Sequence, residues 1–289
     1  MIVFPCAKIN LGLNVVERRA DGYHNLETVF MPVPLYDTLE VLPMSSEMPD
    51  GVERCKLMVS NLPIEGDVQR NLVVRAYNLL YADFPEQMGR VYAHLYKAIP
   101  TQAGMGGGSS DCAYMIRLLN VLFHLQLSNQ QMIDYASRLG ADCAFFIQDQ
   151  PAYAEGIGER LSPMDLNIGS EYRLAIVKPD IPVSTKEAFS LIKPHKPQKN
   201  CLDIVRQPME TWRDELVNDF EQSVFALHPE IAAVKQHLYD MGAIYAAMSG
   251  SGSAVFAFFR KEEVRSDSML DEESAFRGMY CRMLSLSPQ

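Results

Sequence analysis

Apolar positions along the chain fall into runs whose period changes from one segment to the next. Residues 9–16 and 26–35 are apolar runs divided by Arg18-Arg19-Ala20-Asp21-Gly22, a pattern that predicts two strands joined by a turn. Over residues 71–81, Leu72, Ala76, Leu79 and Leu80 share one side at helical spacing. Residues 91–99 alternate as a strand and run into Pro100; a Gly/Ser loop follows, and the apolar stretch 112–125 reads as a buried helix. Residues 128–139 read as another helix with Gly140 as its stop.

Beyond that point the pattern restarts. Residues 154–159 read as a Gly-punctuated loop, 172–177 as a strand closed by Lys178-Pro179, and 191–215 carry Pro and Lys without clear periodicity. A helix is predicted over 231–241 and ended by Gly242, residues 243–249 lead into a second Gly/Ser turn, and 255–259 form a strand. Residues 261–274 are highly charged and predict a solvated helix or connector. There is no internal repeat. Two domains are expected, 1–155 and 156–289.

Composition narrows the function classes. Among 289 residues, 26 Lys+Arg face 36 Asp+Glu, for a net charge of −10, with 48% hydrophobic and 21% charged positions. No run approaches the roughly 20 uncharged apolar residues that a membrane-spanning helix needs. Net acidity argues against a nucleic-acid binder that works by neutralising phosphates. The six cysteines form no CxxC pair and the six histidines no HExxH, so a metal held by Cys and His is not expected. The N-terminal residues lack the basic and apolar regions of an export signal. The expectation is a soluble cytoplasmic α/β or α+β enzyme.

The strongest chemical signal is Pro100-Thr101-Gln102-Ala103-Gly104-Met105-Gly106-Gly107-Gly108-Ser109-Ser110-Asp111, running straight into an apolar helix. Glycines let the backbone curl around a ligand, and Ser109, Ser110 and Asp111 are good N-cap residues. A helix N-terminus with free amides is an anion site. No Gly-Lys-Ser/Thr ends the loop, and Ser109 stands where a dinucleotide fingerprint wants Gly or Ala. The loop is expected to cradle phosphate with cationic help from elsewhere. Three further pieces are ambiguous alone. Met248-Ser249-Gly250-Ser251-Gly252-Ser253-Ala254 reads as a β-turn, and Asp142 as either an N-cap or a carboxylate in a partly dry site. Lys8, inside an apolar strand, is a solvent-face lysine or a buried point charge.

Taken together, the pieces resemble the GHMP kinase superfamily, named for galactose, homoserine, mevalonate and phosphomevalonate kinases. The resemblance spans nearly the whole chain. It is carried by Ala7-Lys8-Ile9-Asn10-Leu11, Arg19-Ala20-Asp21-Gly22-Tyr23-His24-Asn25-Leu26-Glu27-Thr28, Asn71-Leu72-Val73-Val74-Arg75-Ala76, the glycine loop, Gly140-Ala141-Asp142, residues 154–159, Asn218-Asp219-Phe220-Glu221 and residues 248–255. It implies a two-domain α+β fold, N-terminal ribosomal protein S5 domain 2-like and C-terminal ferredoxin-like. Asp21-Gly22-Tyr23-His24, behind the lysine motif, is similar to members that phosphorylate a cytidine diphosphate-linked polyol for isoprenoid precursor synthesis.

The implied activity is transfer of the ATP γ-phosphoryl group, with Mg²⁺, to a crowded hydroxyl, a reaction that depends on positioning and charge stabilisation. Lys8 and Asp142 are the implied catalytic pair. Pro100, Gly104, Gly106, Gly107, Gly108, Ser109, Ser110, Asn71 and Lys97 are implied at ATP, with Ser110 the hydroxyl nearest magnesium. Asn10, Tyr23, His24, Phe189 and Asp142 are implied at the substrate, its pyrimidine stacked between aromatic faces and its polar edge read by His24. Asn218 and Asp219 read as structural. The implied partners are small molecules only, with neither nucleic acid nor membrane, and the implied state is a monomer or weak homodimer. A sister kinase for mevalonate or homoserine would share the glycine loop without needing Asp21-Gly22-Tyr23-His24. A non-catalytic nucleotide-binding module would lose Lys8 or Asp142, and both are present. Met105 stands where the family has Leu, Cys112 where it has Ala, and Cys143-Ala144 where it has Val-Pro. Loss of that proline is expected to loosen the backbone after Asp142.

Overall fold

Alternation along the strand Val91–Lys97 puts Val91, Ala93, Leu95 and Lys97 on a buried side and Tyr92, His94 and Tyr96 on the other. This strand is central in a four-stranded sheet ordered Ile2–Val3, Thr38–Pro43, Val91–Lys97, Cys55–Asn61, antiparallel except for the last, parallel pair. The helices Leu72–Asp83 and Gly107–Leu122 pack on each other and on the sheet, and Asn129–Ser137 and Cys143–Gln148 pack against Gly107–Leu122. Ser128 caps Asn129–Ser137 in a capping box with Gln131.

The computed structural model describes residues 1–44 and 53–286. Their contacts divide into two compact units that alternate along the chain. The unit just described holds residues 1–7, 35–101 and 106–150, and the other holds 8–34, 102–105 and 151–289. Residues 8–34 and 102–105 belong with the C-terminal portion. The cause is long-range strand pairing. His24–Tyr36 pairs antiparallel with Ala152–Gly156 in the register Leu26↔Gly156 to Phe30↔Ala152.

In this second unit one sheet runs Cys6–Arg18, His24–Tyr36, Ala152–Gly156, Arg160–Pro163. The other is wholly antiparallel, in the order Tyr245–Met248, Val255–Arg260, Tyr172–Lys178, Tyr280–Ser285. Val177, Val255, Ala257 and Phe259 from this sheet form a core with Phe220 and Val224 of Phe220–Leu227 and Val234 and Leu238 of Pro229–Asp240.

Several expectations change. Residues 154–156 are strand, and the glycines end it: Gly156, its last residue, and Gly158 beyond it take φ values of +72° and +103°. Residues 191–215 contain the short helices Cys201–Ile204 and Trp212–Glu215, anchored by the buried Cys201 and Trp212. The charged segment 261–274 is held down by the buried Met269 and Leu270, which its charges mask in the sequence. Among the described residues no helix is long and apolar enough to cross a membrane.

Candidate active site

The N-terminal unit carries the second half of the glycine loop. Helix Gly107–Leu122 begins five residues before the expected apolar stretch, and its N-cap is Gly106, at φ +70°, with no side-chain capping bond. The expected caps Ser109, Ser110 and Asp111 therefore lie inside the helix. A capping side chain would bond the first amides, whereas a left-handed glycine leaves them for an anion. Gly108 is exposed and Gly106 and Ser109 half-exposed, while Gly107 and Ser110 face inward. Asn71 caps the neighbouring helix Leu72–Asp83, accepting the Val73 amide at 2.9 Å. A Cβ on Gly108 would sit 3.9 Å from Leu72 Cδ1, so that helix start lies against the loop.

Lys97, at the end of its strand, is a buried ion. Its ammonium donates to Asp37 Oδ2 and, at 2.8 Å, to Asp111 Oδ2, with all three side chains at most 3% exposed. Asp37 Oδ1 accepts the amides of Ala98 and Ile99 at 2.6 and 2.9 Å, fixing the chain just before the buried Pro100. A Cβ on Gly107 would lie 3.3 Å from Lys97 Nζ, which places the ammonium directly behind the loop.

One cation serves two carboxylates in this cluster. Burial opposes the Lys97 ammonium, but the charges of Asp111 and Asp37 outweigh it and hold its pKa above the ordinary value. Burial pushes the Asp111 carboxyl up to about 7; Lys97 opposes the rise and Asp37 adds to it. In the unfolded chain Asp111 titrates near 3.8, so its contribution to stability is full below that pH and is lost as pH rises toward about 7. Asp111→Asn is expected to flatten the fall in stability between these limits. Urea titrations at several pH values check this, and an unchanged slope would exclude Asp111 as its source.

Asp142 occupies the N-cap position of Cys143–Gln148, but its carboxylate makes no capping bond. It is half-buried, and the Cys143 amide behind it bonds the Gly140 carbonyl at 3.1 Å. Cys143 and Ala144 are buried in the first turn of the helix, so the backbone after Asp142 is regular without the expected proline. Proline suits that turn but is not needed to form it.

The second unit carries the lysine strand, the front of the glycine loop and the second Gly/Ser turn. Lys8 and Asn10 project on one face of Cys6–Arg18, and both are buried. The Lys8 ammonium donates to Asn10 Oδ1 at 2.5 Å and lies 4.7 Å from the centroid of the Phe30 ring. The Lys8 backbone amide bonds the Met105 carbonyl at 3.0 Å, tying the strand to the loop. The second turn is more than a β-turn. Ser249 Oγ donates to the Gly104 carbonyl at 2.9 Å, and the amides of Ser253 and Ala254 reach the Gln102 and Ala103 carbonyls at 3.3 Å. Gly104 takes φ +69°, and a Cβ there would lie 1.8 Å from the Ser249 carbonyl oxygen. Only glycine allows that approach. Asn218 supports the turn from below, donating to the Met248 and Gly250 carbonyls at 2.8 Å each, and Asp219 Oδ2 accepts the Val15 amide at 2.8 Å.

Two of the three aromatic residues of the sequence reading pack on each other. His24 stacks on Phe189, with centroids 4.7 Å apart and planes 21° from parallel, which leaves no room for a third ring between them. Phe189 also meets Phe220 edge to face. Tyr23 is 61% exposed, the most open ring of the group. Burial, aided by the charge of Arg18, lowers the His24 pKa and favours a neutral imidazole with one donor and one acceptor nitrogen.

Thr28, Phe30, Asp37 and Glu221 complete these arrangements and were not singled out from sequence. Thr28 ends the stretch Arg19–Thr28. Asp37 had no local signal, because its partner Lys97 is 60 residues away. Glu221 lay in the Asn218 motif; its Oε1 accepts the Met248 amide at 2.8 Å.

Two family descriptions match the chain, GHMP kinases N terminal domain over residues 71–156 and GHMP kinases C terminal over 198–268. The chain is 51% identical to a 4-diphosphocytidyl-2-C-methyl-D-erythritol kinase of Bacteroides fragilis over 276 residues, covering 96% of this chain and 97% of the relative. A Cytophaga hutchinsonii protein of the same name is 44% identical over 90% of this chain and 92% of its own. The crystal structure of a 4-(cytidine 5'-diphospho)-2C-methyl-D-erythritol kinase is similar with TM-score 0.81 and 31% identity, over 99% of this chain and 100% of that one. The L. major mevalonate kinase, at TM-score 0.66 and 14% identity over 100% and 97% of the two chains, shares the fold alone. A glycine-capped helix, a buried strand lysine and full-length similarity at this level agree: the chain belongs to the GHMP kinase family.

Proposed function

We propose that this protein transfers the γ-phosphoryl group of ATP to the 2-hydroxyl of 4-(cytidine 5'-diphospho)-2-C-methyl-D-erythritol, a step in the non-mevalonate supply of isopentenyl diphosphate. The observation that carries this reading is the Lys8 ammonium, buried and directed by Asn10, on the strand that leads into the turn bearing Tyr23 and His24. The 51% identity to a relative of that name supports the choice of substrate. A cytoplasmic monomer or weak homodimer acting on small molecules is the organisation we attach to it.

In the proposed reaction the acceptor oxygen bonds to the γ-phosphorus, the bond from that phosphorus to the bridging oxygen breaks, and ADP leaves. Asp142 takes the hydroxyl proton, and Lys8 lowers the alcohol's pKa and steadies the developing negative charge. The first amides of Gly107–Leu122 hold the phosphates, and Gly104 holds the front of the loop in place. Lys97 acts from behind, keeping the backbone before Pro100 in shape rather than touching nucleotide. Tyr23 offers its open ring to the pyrimidine, and His24, backed by Phe189, reads the polar edge.

Magnesium would be held with the nucleotide at Ser110 Oγ, a buried oxygen without a hydrogen-bond partner at the start of the helix, and would neutralise charge on the transferring phosphates.

An ADP-release assay with three acceptors tests the reading. Turnover is expected with the cytidine-linked methylerythritol and not with mevalonate or homoserine. Equal turnover of all three would sink the assignment.

A further inference from the structure

Thr28 lies outside every role assigned so far, yet it is 2% exposed and its hydroxyl sits between two functional segments. It donates to the Gly12 carbonyl at 2.5 Å and accepts from Asn10 Nδ2 at 3.0 Å, while Asn10 Oδ1 accepts from the Lys8 ammonium at 2.5 Å. Gly12 takes φ +68°, and a Cβ there would meet Leu216 Cδ1 at 2.6 Å and Cys201 Sγ at 2.7 Å, so this backbone oxygen is firmly placed.

Donor and acceptor arithmetic fixes the direction of the whole chain. An ammonium has no acceptor, so Asn10 must turn its oxygen toward Lys8. The Asn10 NH₂ then faces Thr28, which must accept there and needs another acceptor for its own proton. The Gly12 carbonyl is that acceptor. Without the Thr28 hydroxyl, the buried Asn10 NH₂ loses its partner, and a flipped amide would present N–H groups to the ammonium.

We propose that Thr28 is a positioning residue for phosphoryl transfer, acting through Asn10 to hold the Lys8 ammonium at its working place. The proposal rests on the role given to Lys8 in the proposed reaction. The methyl group of Thr28 packs as a valine would, so its contribution to transfer resides in the hydroxyl.

Thr28→Val keeps shape and removes the hydroxyl. It is expected to lower kcat by about 10–100-fold while KM for ATP stays within about twofold, since misplacement of a reacting group affects rate more than nucleotide binding. Thr28→Ser is expected to restore most of the rate. In an Asn10→Ala background Thr28→Val is expected to cost nothing further, because the relay is already broken. Thermal melting of each variant separates loss of fold from loss of rate. If Thr28→Val does not fold, Thr28→Ala compared with Thr28→Ser makes the same test. A folded Thr28→Val or Thr28→Ala enzyme with wild-type kcat, no rescue by serine, or an undiminished loss in the Asn10→Ala background each overturns the proposal. An active Lys8→Met enzyme overturns the reading beneath it. An inactive Lys8→Met beside a fully active Thr28→Val overturns the role of Thr28 alone.

Discussion

Asp142→Asn is expected to lose about 10²–10⁴-fold in turnover, the range for removing a general base, while ATP affinity and stability stay near wild type. The start of the neighbouring helix does not depend on a side-chain cap from this carboxylate. The Asp142 carboxylate makes no capping bond to the helix Cys143–Gln148, and the first turn of that helix is anchored by the buried Cys143, Ala144, Phe145 and Phe146. The amide keeps the size of the side chain and one acceptor oxygen but does not take up a proton at neutral pH. Steady-state ADP release together with calorimetric nucleotide binding measures both halves. Full turnover in the variant would remove Asp142 from the reaction, and lost nucleotide binding would make it a structural residue of the loop region instead.

The second large effect is on stability. Lys97→Met is expected to destabilise the protein by about 3–5 kcal/mol, because it leaves buried carboxylates without their cation. At roughly 2–4 °C per kcal/mol for a chain of this size class, the melting temperature falls on the order of 10 °C. Lys97→Met combined with Asp111→Asn is expected to recover part of that loss, since one fewer carboxylate then lacks compensation. The two single variants act on opposite sides of the same imbalance, two acids sharing one base. A lysine that merely lined a nucleotide pocket would behave differently, raising KM for ATP with an unchanged melting temperature. That outcome would contradict the buried arrangement.

The site was legible where its signal is local. Four glycines in five positions before an apolar stretch announced an anion-binding helix start, and the helix is there. Its cap was misplaced because Ser109, Ser110 and Asp111 are good caps in isolation. The left-handed turn at Gly106 starts the helix earlier and without a capping side chain. The second Gly/Ser turn looked like any β-turn, since nothing local shows that Ser249 meets Gly104, 145 residues away. That His24 covers Phe189 and leaves Tyr23 open has no local signal, because Phe189 is distant in sequence.

Sequence alone determined which segments are strands and helices over most of the chain, the glycine-rich start of a buried helix and the kinase resemblance. These follow from periodicity, glycine spacing and short motifs, all properties of neighbours in the chain. The tertiary structure alone decided how segments associate: the two alternating units, the inward Lys97 between Asp37 and Asp111, and the directed hydrogen bonds from Gly12 through Thr28 and Asn10 to Lys8. Alternation could turn Lys97 toward the core, but the acids that make its burial tolerable are brought there by strand pairing and helix packing. A buried charge or amide is stable only with its partners in place, and strands distant in sequence supply them once they pair.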